Sequence, residues 1–205
     1  MRVNFLHIGK DNELPTRMVA SVKEAMPDAT VTQLTDMNTD IIKGVNSVIR
    51  KPFKGFLMQY RLEHLVALRG EWVSLDTDII VKKDLSKVFK QEFDVALTKR
   101  TQSIISPDGL DVAKVMPYNA GVMFSRNHEF WEDALAYLKT LSDQDKTWWG
   151  DQLAIKHIAD KKYYKVHELD CSEYNYTPKN KDERKDVYVY HFKGDRKSWM
   201  LENNY

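Results

Sequence analysis

The first 35 residues constrain the fold more than any other part of the chain. Residues 2–8 carry Val3, Phe5, Leu6 and Ile8 and stop at Gly9, the pattern of a short buried strand. Residues 15–26 then place Met18, Val19, Val22, Ala25 and Met26 at helical spacing. Pro15 suits a first helical turn and Pro27 a stop. Residues 29–34 return to a strand pattern. A strand, a helix and a second strand in close succession predict a parallel sheet with helices packed on its faces.

The rest of the chain continues in the same style. Residues 36–54 read as a loop with short helical pieces, and residues 56–68 as a helix with one broad apolar face. Residues 72–75 form a strand that runs into Asp76-Thr77-Asp78. Residues 93–98 and 121–124 read as strands, 128–141 and 150–159 as helices, and 163–167 and 186–192 as late strands. The polar stretch 177–185 reads as a surface loop with nothing to place in a core. The length of 205 residues fits a single domain. The expected class is α/β, a mixed but mostly parallel sheet flanked by helices.

Bulk properties remove several function classes. A net charge of +1 gives no global field toward nucleic acid or membrane. The single cysteine, Cys171, rules out a disulfide within the chain and speaks against a cysteine-based zinc site. No run approaches the ~18 apolar residues of a membrane span. The N-terminus reads as a strand rather than a signal peptide, so the expected location is the cytoplasm.

Four segments carry chemistry. In Leu75-Asp76-Thr77-Asp78-Ile79, two acids one residue apart stand at the carboxyl end of a strand, where ligands gather in such sheets. Carboxylate oxygens there suit a hard cation such as Mg²⁺ or Mn²⁺; the plainer alternative is a capped turn. In His191-Phe192-Lys193-Gly194-Asp195-Arg196-Lys197, a strand delivers an imidazole able to ligate a metal. Gly194 there permits close backbone approach, and Lys197 offers a point charge to a phosphate. The alternative is a solvated basic turn. Asn119-Ala120-Gly121 begins a strand that leaves room for a ligand, or is simply a turn. Asp151-Gln152 opens a helix, with Asp151 either a cap or a functional carboxylate. Trp148 and Trp149 could stack on a sugar or wall a cleft. His7, His64, His128, His157 and His167 show no partner pattern and read as satisfied structural or surface histidines.

These four pieces, in this order, resemble the retaining GT-A glycosyltransferases of the family 8 type, with relatives in family 32. Those enzymes carry a Leu-Asp-x-Asp turn, an Asn-Ala-Gly strand, an Asp-Gln helix start and a closing His-x-x-Gly-x-x-Lys-Pro-Trp segment. Here Ser198 stands in place of that proline, before Trp199. The resemblance implies a GT-A nucleotide-diphospho-sugar transferase fold, with residues 1–98 mainly holding the nucleotide and 99–205 mainly forming the acceptor and catalytic half. It implies that Asp76, Asp78 and His191 hold Mn²⁺ (or Mg²⁺) against the diphosphate of a nucleotide-sugar donor, with UDP as the nucleotide. Thr77, Gly194 and Lys197 would contact that donor. Asn119, Ala120 and Gly121 would line the cleft, and Asp151 and Gln152 would sit at the transferred sugar. Arg61 would act as a donor-binding arginine, and the end of the first strand, His7 and Gly9, would lie near the base. Transfer would retain configuration, to a glycan or saccharide hydroxyl. A modified nucleic-acid base is the lesser alternative acceptor, motivated by Lys179, Lys181, Arg184, Lys185, Lys193, Arg196 and Lys197, a run interleaved with acids. Two rival readings share the acids: a metal-dependent nucleotidyltransferase or phosphohydrolase, and an inactive nucleotide-sugar binding module.

Overall fold

The computed structural model describes residues 1–106 and 109–202. The opening comprises β1 (Arg2–Leu6), α1 (Glu13–Ala25) and β2 (Thr30–Thr35), and β1 and β2 pair in parallel. Then come β3 (Ser47–Arg50), α2 (Leu57–Val66), β4 (Trp72–Leu75), β5 (Ile79–Val81), a 3₁₀ segment (Leu85–Lys90) and β6 (Val95–Lys99). The second half holds α3 (Val112–Val115), β7 (Tyr118–Ser125), α4 (Glu129–Thr140), α5 (Asp143–Lys146), α6 (Gly150–Asp160), β8 (Val166–Asp170), α7 (Cys171–Tyr174) and β9 (Val189–His191). A 3₁₀ turn (Gly194–Arg196) and α8 (Lys197–Glu202) follow.

The main sheet has seven strands in the order β3-β2-β1-β4-β7-β6-β8, and β5 and β9 form a separate two-stranded ladder. Only β7 runs against its neighbours, antiparallel to both β4 and β6. The carboxyl ends of β1, β4 and β6 therefore share one edge, the edge at which such sheets bind ligands.

Period-two alternation explains why both faces are covered. Val3 and Phe5 enter one core and Leu6 packs on the other; Val122 and Phe124 enter the first and Met123 the second. α1 buries Met18, Val19 and Val22 on the first face. α2, α4 and α6 cover the second, with Phe130, Trp131, Ala134 and Leu138 from α4 and Ala154, Ile155 and Ile158 from α6. Among the described residues no helix is long and apolar enough to cross a membrane.

The structure corrects several expectations. Residues 36–54 contain no helix but the strand β3, whose edge position relies on Thr35 and Asn46 contacts rather than on an apolar run. β7 starts at Tyr118, three residues earlier than its apolar run, because Asn119 to Gly121 are buried in the ladder. β8 lies at Val166–Asp170, shifted along from 163–167, since its pairing is set by parallel register with β6. Within 177–185, Pro178 is buried, so that loop does contribute to packing. His64 is not satisfied: it is fully buried with neither ring nitrogen hydrogen-bonded, and burial pushes it down to about 4, so it is neutral.

Candidate active site

Strand register brings the acids and the imidazole together. β5 follows the Asp76-Thr77-Asp78 turn and pairs antiparallel with β9, setting Ile79 opposite His191. The next ladder bond, from Phe192 N–H to Asp78 O at 2.8 Å, locks the turn against the strand end. On the other side, Asp76 N–H donates to Gly121 O at 2.9 Å, so the turn is also fastened to β7. His191 Nε2 lies 3.0 Å from Asp78 Oδ1 and 3.6 Å from Asp76 Oδ2. One ligand atom from each of the three residues falls within 4.8 Å of the others.

The ring orientation of His191 is fixed by a residue with no sequence signal. Asn175, just after α7, is buried, and its Oδ1 lies 2.6 Å from His191 Nδ1. Asn175 Nδ2 donates to Thr98 Oγ1 at 2.9 Å and to Asn119 Oδ1 at 2.8 Å. Thr98 Oγ1 in turn donates to Asn119 O. This network leaves Oδ1 as the acceptor, so Nδ1 carries a proton and Nε2 is the nitrogen that faces the carboxylates, donating to Asp78 when protonated and offering its lone pair to a cation once that proton is gone. Outer hydrogen bonds of this kind orient metal-binding imidazoles. Two carboxylates and an imidazole nitrogen, so presented, fit a divalent cation. Burial alone would raise Asp78, but His191 and then Lys197 hold it down at about 2, the ionised form a cation needs.

The β6–β7 ladder breaks at this point. Its register jumps between Leu97 and Thr98, from Met123 to Asn119, an irregularity of the sort found beside functional sites. Beside the jump Ala120 O accepts from Arg61, while Gly121 O accepts from Asp76 N–H as the continuation of the β4–β7 ladder. Gly121 is small because the imidazole occupies its side: an added Cβ would lie 2.4 Å from His191 Cε1 and 2.5 Å from Nδ1. The space expected there for a ligand holds His191.

Arg61 on α2 is an internal clamp. Its Nη2 donates to Asp76 Oδ1 at 2.8 Å and Ala120 O at 2.5 Å, and its Nη1 to Asp151 Oδ2 at 3.3 Å. Burial disfavours its charge, but Asp76 and Asp151 more than offset that, so its pKa is raised. Asp151 is fully buried in the first turn of α6 and is not the cap; Trp149 holds that position without a side-chain bond. Burial lifts Asp151 to about 6, Arg61 opposing and Asp76 assisting. Gln152 Oε1 accepts from Arg100 Nη2 at 2.8 Å.

A cleft of about 370 Å³ joins these groups. Arg61, Asp76, Thr77, Asp78, Asn119, Ala120, Gly121, Asp151, Gln152, His191, Gly194 and Lys197 all line it. Gly194 adopts the left-handed φ of +62° that favours glycine, and Lys197 Nζ stands 3.5 Å from Asp78 Oδ2. Two expected residues are not brought in: Leu6 reaches the cleft, but His7 and Gly9 do not line it, and His7 Nε2 bonds Asn12 Oδ1 at 3.2 Å. Trp148 lines the rim and is 72 % exposed. A hollow beside Asn12, Arg17 and Leu201 is larger, about 550 Å³, but gathers no set of metal ligands among the described residues. Sequence reasoning missed Asn175, Arg100 and Lys193 as site residues. Arg100 could have been found, since it follows a strand whose carboxyl end shares the edge with β4. Lys193 had been counted only in the basic run; it lines the cleft, and burial pushes it down to about 8, with Cys171 opposing and Arg100 assisting.

No known protein-family model matches the sequence, and no curated protein matches it. Solved structures do. The galactosyltransferase LgtC, in complex with donor and acceptor sugar analogs, is 15 % identical, with 95 % of this chain and 88 % of that one covered and a TM-score of 0.58. The bifunctional glycosyltransferase WbbM in its apo form is 16 % identical, with 95 % and 46 % covered and a TM-score of 0.60. The glycosyltransferase GlyE of Streptococcus pneumoniae TIGR4 is 16 % identical, with 99 % and 60 % covered and a TM-score of 0.63. The chain thus spans most of LgtC but about half of the other two. It has the GT-A fold of these glycosyltransferases, as its sequence motifs led one to expect.

Proposed function

We propose that this chain is a metal-dependent glycosyltransferase that takes a sugar from a UDP-sugar, with Mn²⁺ as its ion, and passes it to a saccharide hydroxyl with retained configuration. The observation that carries the reading is the meeting of Asp76, Asp78 and His191 in a cleft shared with Asn119, Asp151, Gln152 and Lys197. The sugar analogs in the LgtC complex name the chemistry that the shared fold performs there. Residues up to 98 mainly hold the nucleotide and later ones mainly the acceptor. Work in the cytoplasm accords with the lone Cys171.

Asp76, Asp78 and His191 Nε2 are the groups that would hold the ion, and a bound dication supplies positive charge against the diphosphate as the sugar departs. Lys197, half-exposed, offers an ammonium to the same phosphates. Negative charge grows there as the glycosidic bond breaks, so this cation stabilises the transition state more than the ground state. Gly194 keeps a side chain off that approach. Arg61 holds Asp76 and Asp151 in place through its two ion pairs. Asp151 and Gln152 orient the sugar by accepting from its hydroxyls or donating to them. Asp151 is buried and ion-paired, a positioning group rather than an attacking one. With Asp151 committed to its ion pair with Arg61, the acceptor hydroxyl attacks from the side the diphosphate leaves.

A screen of nucleotide sugars with Mn²⁺, followed by product chromatography, tests the reading. Nucleoside diphosphate plus free or transferred sugar is expected. Release of pyrophosphate or inorganic phosphate would instead establish nucleotidyl transfer or phosphohydrolysis. Tight donor binding with no product from any nucleotide sugar would establish a binding module.

A further inference from the structure

The charges lining the cleft do not balance. Arg61, Arg100, Lys193 and Lys197 face only three carboxylates, Asp76, Asp78 and Asp151. Arg61 is engaged by Asp76 and Asp151, and Lys197 stands against Asp78. Among the described residues neither Arg100 nor Lys193 forms a salt bridge with a carboxylate, although Asp151 lies within electrostatic reach of the first and Asp76 and Asp78 of the second. The Arg100 guanidinium donates to the carbonyls of Met116 and Tyr118 and to Gln152 Oε1. Lys193 Nζ has no hydrogen-bond or ion-pair partner among the described residues. A dication and the two negative charges of a nucleotide-sugar diphosphate cancel, so a loaded donor leaves the excess in place. Cations drawn into a partly desolvated cleft without a counter-charge are costly, and a cleft of one sign concentrates ligands of the other.

Position says which ligand part meets them. Arg100 directly follows β6 and is bonded to Gln152, the neighbour of Asp151. It therefore sits on the sugar side of the cleft rather than at the turn of Asp76 and Asp78. Lys193 lies between the strand end at His191 and Gly194. An arginine fork matches a planar carboxylate, and a lysine adds a point charge beside it.

We propose that the sugar handled in this cleft is acidic, a hexuronic acid unit whose carboxylate seats on Arg100 and Lys193. The proposal rests on the glycosyltransferase reading above. The acid belongs to the donor sugar or to the acceptor saccharide, and the two are separable.

Calorimetry on the full chain with Mn²⁺ compares UDP-glucuronate with UDP-glucose in one arm. In the other, the UDP-loaded protein is titrated with a glucuronate-terminated oligosaccharide or its carboxyl-reduced counterpart. In one arm the acidic partner should bind about tenfold to hundredfold tighter, the worth of a charge-assisted hydrogen bond. The arm that shows it identifies the source. Lys193→Gln should bring that ratio down to about threefold or less; Arg100→Gln should do the same where thermal melts show it folded. Equal affinities in both arms overturn the proposal. So does a Lys193→Gln protein that weakens UDP alone by the same factor, since the ammonium then serves the diphosphate. Binding needs no turnover: a chain that prefers the acid but transfers nothing sinks the transferase reading and keeps this one. Transfer of neutral sugars to neutral acceptors as efficient as that of acidic ones does the reverse.

Discussion

Gly121→Ala tests the geometry of the proposed metal site with a single methyl group. The added Cβ would stand 2.4 Å from His191 Cε1, 2.5 Å from Nδ1 and 2.9 Å from Asn119 Oδ1. Carbon atoms settle at about 3.5 Å or more, so the ring must retreat by about 1 Å. Metal-ligand distances tolerate roughly 0.2 Å. The ring also cannot retreat freely, because Asn175 Oδ1 holds Nδ1 at 2.6 Å and Asn119 is itself crowded. The expected result is a fall in Mn²⁺ affinity of about 10- to 100-fold, comparable to losing an orienting partner. The overpacking should cost about 1–3 kcal/mol of stability. Electron paramagnetic resonance of free Mn²⁺ reads the affinity, and urea denaturation of the metal-free protein reads the stability. A double-mutant cycle isolates the cause. On a His191→Ala background there is no ring to displace, so Gly121→Ala should remove no further affinity. If Gly121→Ala binds Mn²⁺ like the wild type, or if the two losses simply add, His191 is not a ligand held against Gly121.

Asp76→Asn and Asp78→Asn should each lower Mn²⁺ affinity by about 100-fold or more, since an amide brings no charge to the ion; a double variant with chelator-resistant sugar transfer would refute the site. Asn175→Ala should weaken Mn²⁺ by about 10- to 100-fold and shift the nitrogen resonances of His191 as the Nδ1–H tautomer loses its anchor; unchanged resonances would show that Asn175 does not set the tautomer. Asp151, raised from 3.8 to about 6 in the folded protein, keeps its proton where the unfolded chain has released it. Stability of the metal-free protein should therefore fall as pH rises from about 4 to about 6, by up to about 3 kcal/mol from this group. Asp151→Asn should flatten that slope in urea titrations. Transfer should rise over the same interval, as ionised Asp151 secures Arg61, and a wild-type rate flat across pH 6 would deny Asp151 that role.

What was legible in the sequence follows physical range. Helices and buried strands announce themselves locally, and α1, α4 and α6 fall where their apolar spacing put them, because each buries one stripe against the sheet. β3 was invisible, since an edge strand with Ser47 and Arg50 at its ends has no apolar alternation to show. β8 was misplaced because its register is dictated by β6, far away in the chain. At the site, the acids, the histidine and the small residues of β7 were readable as motif pieces. The exclusion of His7 and Gly9 from the cleft was not, because it depends on how the loop after β1 closes through Thr39 and Asn12. Asn175 could not have been chosen either; its meaning arises only where α7 carries it beneath His191.

The ladder of β5 and β9 has a further consequence for how the chain holds its tail. Each strand is three residues long, and a two-stranded ribbon is weak alone. A cation shared by Asp76, Asp78 and His191 would work as a clasp, pinning the C-terminal segment to the body of the molecule at the far end of a long covalent loop. Ions that bind only the native form add their binding free energy to it, and here that gain falls chiefly on one ribbon. Amide protons of β5 and β9 should then exchange with solvent much more slowly once Mn²⁺ is added, while those of β1 and β2 barely change.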